Sequence, residues 1–76
     1  MVHEYFKKEF KDFKILLQLN PISYSVLELT VHKDNSMTKR KVQVDEDIYE
    51  DLNEDEFEKS SPIEFNLHLK SINLLR

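Results

Sequence analysis

Along the first thirteen residues the apolar positions Phe6, Phe10 and Phe13 fall at steps of four and three. Lys7, Lys8, Glu9, Lys11 and Asp12 lie between them, the spacing of an amphipathic helix. From Phe13 the period changes: Phe13, Ile15, Leu17 and Leu19 alternate with Lys14, Leu16 and Gln18. This favours a strand over a continuation of the helix, and Asn20-Pro21 ends the element on either reading. Ile22 to His32 is rich in β-branched and aromatic residues, with a change of parity near Val26 that a bulge would absorb. Thr38 to Val44 supplies a partner strand. A loop of Asp34, Asn35, Ser36 and Met37 sets Val31 opposite Arg40, Leu29 opposite Val42 and Leu27 opposite Val44.

Asp45 is a good helix N-cap. Glu46 and Asp47 put carboxylates in the first turn, where the helix dipole favours them, and Ile48, Tyr49 and Leu52 mark a buried stripe. Ser60-Ser61-Pro62 breaks the chain, after which Ile63, Phe65, Leu67 and Leu69 alternate with Glu64, Asn66, His68 and Lys70 in the pattern of a strand. The tail keeps Ile72, Leu74 and Leu75.

The expected order is therefore α-β-β-β-α-β in a single α+β domain over residues 1–76. A small antiparallel sheet of three or four strands would be covered on its apolar face by one or two helices. If the first helix instead runs on to Leu19, three strands remain. Tyr5, Leu16, Val26, Ile72, Leu74 and Leu75 fall off the inward pattern, a surplus that points to a self-associated or partner-covered surface.

Composition narrows the chemistry. The chain has no glycine, which excludes Gly-rich phosphate loops, dinucleotide fingerprints and nucleophile elbows, and leaves its turns to Asn, Asp, Ser and Pro. It has no cysteine, which removes disulfides and thiolate chemistry and makes a reducing cytoplasm the expected location. The longest apolar run, Ile15-Leu16-Leu17, is far too short to cross a bilayer, so no membrane association is expected.

Charge is unevenly spread. Residues 1–44 carry a net +3 and residues 45–76 a net −7, with nine acids and no base between Asp45 and Glu58. A solvated acidic helix, offset by the Lys-rich first segment or by Lys39-Arg40-Lys41, is one reading of that run. An acidic surface for a basic partner is the other. Asp51, Asn53 and Asp55 follow the one-three-five spacing of a calcium loop. The match fails at Glu56, where Gly is needed, and at Pro62, where a closing Glu is needed. His3, His32 and His68 are not spaced as metal ligands and read as exposed side chains. Lys33, Lys39, Arg40 and Lys41 make a small basic patch, but the overall charge of −4 opposes nucleic-acid binding.

The expected function is a non-catalytic protein–protein interaction domain, without cofactor or metal, whose partner includes a second copy of itself in a homodimer. Asp47, Glu50, Asp51, Glu54, Asp55, Ile72, Leu74 and Leu75 are the candidate partner-binding residues. The alternatives are an acidic mimic of nucleic acid or regulator of a basic partner, and a small hydrolase or metal-dependent enzyme.

Overall fold

Five strands and two helices follow one another in the order β-β-β-β-α-β-α: β1 (Glu4–Glu9), β2 (Phe13–Leu19), β3 (Ser25–His32), β4 (Met37–Gln43), α1 (Glu46–Asp51), β5 (Glu58–Lys59) and α2 (Pro62–Leu74). The computed structural model describes residues 2–52 and 57–74. All strands join one antiparallel sheet in the order β4-β3-β2-β1-β5. The α+β class and the helix-covered antiparallel sheet are as the sequence indicates, and the alternation of Phe13 to Leu19 does form a strand. Two elements are of the opposite type to that expected.

The first is β1, where the helical spacing of Phe6, Phe10 and Phe13 suggested a helix. The three phenylalanines do share a face, but it is a face of the sheet. Phe6 pairs with Leu17 and Lys8 with Ile15, and the next step along that row is Phe10 beside Phe13, joined by the two-residue turn Lys11-Asp12. The Phe10 N–H donates to the Phe13 carbonyl at 2.8 Å, and the two rings stack with centroids 4.6 Å apart. An aromatic pair flanking a tight turn thus reproduces a four-and-three spacing. The neighbouring Tyr5 decides the matter physically, because its ring packs on the opposite sheet face against Phe65 at 5.6 Å. Only an extended backbone sends adjacent side chains to opposite sides.

The second is α2, where the alternation of Ile63 to Leu69 suggested a strand. Ser61 Oγ accepts the Ile63 N–H at 3.1 Å, Pro62 occupies the first helical position and Glu64 the third. Ser-Pro-Ile-Glu is a helix start, since proline needs no N–H there and its backbone angle suits the first turn. Once the helix is under way, Phe65, Leu69 and Ile72 share its inner face at intervals of four and three. Ile63 and Leu67, members of the same alternating set, turn outward.

The β3–β4 hairpin forms, but three residues out of the expected register: Val31 pairs with Met37, Leu29 with Lys39 and Leu27 with Lys41. The connection is tighter than a four-residue loop ending at Met37. The Asn35 N–H returns to the His32 carbonyl at 3.0 Å, and the His32 N–H donates to Ser36 at 2.9 Å. Asn35 adopts a positive φ of 68°, and Asp34 Oδ1 accepts both the Ser36 N–H and its hydroxyl. In a chain without glycine, asparagine is the residue that takes this left-handed position at small expense. Asn20 does comparable work before β3, its side chain accepting the N–H groups of Ile22 and Ser23.

An odd shift of register exchanges the two faces of a strand. Val42 therefore lies opposite Val26 rather than beside Leu29, and the single apolar sheet face expected from the sequence does not form: Leu29 and Phe65 share one side, Val42 lies on the other and Leu67 faces solvent. The sheet instead carries apolar side chains on both faces. Phe6, Leu17, Leu19, Val26 and Tyr49 form a cluster under α1, and Leu16, Leu29 and Phe65 form another under α2. Most of the supposed surplus belongs here. Leu16 and Val26 are buried, Tyr5 packs against the α2 cluster, and Ile72 is half-buried on the inner face of α2.

Candidate interaction surfaces

Three surfaces carry side chains that the fold leaves unused. The first is the outer face of α2. Ile63, Leu67 and Leu74 are 70%, 61% and 75% exposed, and with Lys70 they form a row at steps of four, three and four. The inner face is fixed by Phe65 and by Glu64, whose carboxylate lies 3.2 Å from Lys14 Nζ and 3.6 Å from Lys7 Nζ. Those contacts settle which side of the helix meets the sheet. The row is hidden in the sequence because Ile63 and Leu67 alternate with polar residues in step with Phe65 and Leu69, the pattern of one strand face. The sign that could have exposed it was Ser61-Pro62 followed by Glu64.

Burial opposes ionisation of Glu64, but the hydrogen bond and charge of Lys14, joined by those of Lys7, outweigh it and hold the carboxyl below its ordinary value of 4.5. A depressed folded-state value means that the unfolded chain binds the proton more readily. The contribution is therefore complete above 4.5 and is lost as the pH falls through the folded value. Glu64→Gln is expected to lower stability by about 1 kcal/mol at neutral pH and to flatten the acid limb of the stability curve. Urea titrations from pH 7 to pH 3 measure both, and an unchanged acid limb would show that the two lysines do not bind this carboxylate in solution.

The second surface is α1. Asp45 caps it as expected, its Oδ1 accepting the Ile48 N–H at 2.9 Å, and Tyr49 anchors it by packing on Tyr24 at 5.2 Å. Among the described residues the Tyr49 hydroxyl is buried without a hydrogen-bond partner. Burial first, and then the negative charge of nearby Glu4, push its ionisation upward. Around this anchor Asp47, Glu50 and Asp51 are all exposed. The ion pairs among the described residues are Lys7 and Lys14 with Glu64, and Arg40 with Glu28. None of them involves an acid of α1.

Of the remaining candidate residues, Leu74 is exposed as the last member of the α2 row while Ile72 faces inward. Glu54, Asp55 and Leu75 lie outside the described residues, as do Asn53 and Asp55 of the calcium-like spacing. Asp47, Glu50 and Asp51 therefore share one exposed helix, and Ile72 and Leu74 part company on another.

The third surface is β4, the outermost strand on one side of the sheet, with Lys39, Arg40 and Lys41 exposed in succession. Lys39 Nζ donates to Asn73 of α2 at 3.3 Å, and Arg40 reaches Glu28 at 3.5 Å. The opposite margin, β5, is two residues long.

The histidines are dispersed among different elements. His32 is exposed and tilts against Phe13 at 6.0 Å. His3 is half-buried, as is His68, which is drawn inward because its segment is helical rather than extended. The His68 Nδ1 lies 2.9 Å from the Glu64 carbonyl, which can only accept, so Nδ1 carries the proton. Among the described residues no three His, Asp or Glu side chains gather as a metal site would require, and no helix is long and apolar enough to cross a membrane.

No protein-family model, curated protein or solved structure matches this chain.

Proposed function

We propose that this chain is a small non-catalytic interaction domain that pairs with a second copy of itself through the outer face of α2. The exposed row of Ile63, Leu67 and Leu74 carries this reading. In an antiparallel pair of such helices related by a twofold axis, Ile63 of one copy faces Leu74 of the other, and Leu67 faces the aliphatic stem of Lys70. The row is thus complementary to itself, as a closed dimer interface must be. The four-three-four spacing is that of a helix-to-helix seam, and Lys70 is its only charge, so pairing brings no two like charges directly opposite. A cysteine-free chain suits a reducing compartment, and the cytoplasm is the proposed setting.

Sedimentation velocity tests the reading. The native chain is expected to sediment at twice the 9.2 kDa chain mass at tens of micromolar, and Leu67→Glu at the single mass with an unchanged circular dichroism spectrum. A native chain that stays monomeric at millimolar concentration overturns it.

A further inference from the structure

We infer that the outer edge of β4, which pairs with no further strand among the described residues, accepts an extended acidic segment of another protein as a sixth strand. This surface meets the α2 row only at one end, where Met37 and Leu74 line the same cleft, and the observations behind it are the hydrogen-bond parity of the strand, its charge and a notch beside it.

The paired ends of the β3–β4 ladder fix the parity. Val44 N–H donates to the Tyr24 carbonyl at 3.1 Å and His32 N–H to the Ser36 carbonyl at 2.9 Å, so both ends are hydrogen-bonded pairs. Antiparallel ladders alternate, so Thr38, Arg40 and Val42 turn their N–H and C=O groups toward β3. Met37, Lys39, Lys41 and Gln43 turn theirs away from the sheet. Four residues with outward backbone donors and acceptors are enough to hold a short added strand, the mode in which main-chain bonds give affinity and side chains give selectivity.

The side chains state what that strand must be. Lys39 and Lys41 stand on the α2 side, opposite Leu29 and Leu27, while Arg40 and Val42 stand on the α1 side. The strand Met37–Gln43 carries three positive charges and no negative one. Two copies of β4 placed side by side would set these charges against each other, so the edge resists pairing with itself. An incoming strand with carboxylates facing Lys39 and Lys41 meets the opposite situation. On the α1 side, a notch of about 180 Å³ lies among Val42, Val44, Ile48, Leu52 and Phe57, next to Arg40. An apolar residue opposite Val42 would enter it. On a strand added parallel to β4, the recognised pattern is therefore acid, any residue, acid, apolar, read from its N-terminal end opposite Lys39 to Val42.

The probe is the capped peptide Thr-Glu-Thr-Glu-Val-Thr, titrated by NMR into the Leu67→Glu chain, so that the result does not depend on whether α2 self-associates. Binding is expected to protect the amides of Met37, Lys39, Lys41 and Gln43 from exchange and leave those of Thr38, Arg40 and Val42 as they were. Lys39→Glu combined with Lys41→Glu, both at exposed positions, should weaken binding about tenfold or more. N-methylation of alternate peptide nitrogens should weaken it about as much, because the strand hydrogen bonds are then unavailable. Equal binding of the methylated peptide would reduce the contact to simple charge attraction and overturn the proposal. So would equal binding of a short oligothymidylate of matched charge, or absence of protection at the four outward amides at millimolar peptide.

Discussion

Phe65→Ala is expected to lower stability by about 3–5 kcal/mol, and Leu67→Ala by no more than about 0.5 kcal/mol. The two residues are two positions apart in a stretch whose alternation would make them equals on one face of a strand. In the helix they are opposites. Phe65 is fully buried between Leu16, Leu29 and the ring of Tyr5, and it holds α2 on the sheet; Leu67 points to solvent. A domain of this size has about 5–10 kcal/mol of stability in all, so Phe65→Ala should leave a substantial unfolded fraction at 37 °C. Urea titrations below the concentration at which the chain associates give both values. Equal losses would mean that residues 62–74 are extended after all, and would remove the α2 row with them.

The same stretch shows what the sequence could and could not convey. Alternation over Ile63 to Leu69 is a period-two signal in a segment where the period is really 3.6. A window of seven residues is too short to separate the two when polar residues such as Asn66 and His68 fill the intervals. The capping residues were the better guide, because Ser61 and Pro62 act through local backbone chemistry that no tertiary contact has to supply. At the other end of the chain the failure ran in reverse: Phe6, Phe10 and Phe13 share a sheet face through a turn that their spacing does not reveal. Elements whose signal was local and chemically specific were legible. They include the Asp45 cap and the turn residues Asn20 and Asp34-Asn35; over Phe13 to Leu19 the alternation alone pointed to the strand that forms.

Register was not legible to the same degree, and for the candidate surfaces this mattered most. Pairing of β3 with β4 depends on one residue's left-handed backbone at Asn35 and on the side-chain bonds of Asp34, and a change of one residue in the turn moves every lysine to the other face. With the expected register, Lys39 and Lys41 sat on a bare polar face and Val42 in the core with Leu29. With the observed one they stand at the rim of the α2 cluster, on an edge whose outward amides they share, while Val42 helps line a notch beneath α1. The acidic run, by contrast, could be read directly, and the structure leaves Asp47, Glu50 and Asp51 in solvent.

Leu16→Ala and Leu17→Ala are each expected to lower stability by about 2–5 kcal/mol, although a one-sided sheet would tolerate one of the two. The residues are adjacent in β2, and their exposures are 0% and 2%. An extended strand can bury neighbours only if both of its faces are covered, and here Leu16 lies under Phe65 of α2 while Leu17 lies with Phe6 and Tyr49 beneath α1. β2 is also flanked by β1 and β3 on its two sides, so neither leucine can relax toward solvent when its neighbour is truncated. Because the two cavities would open in separate clusters, the double variant should lose close to the combined amount, which for so small a domain means that it does not fold without a stabilising osmolyte. A near-neutral result at Leu16 would leave α2 without its footing. A near-neutral result at Leu17 would do the same for α1, and the acidic helix would no longer be held in a defined place.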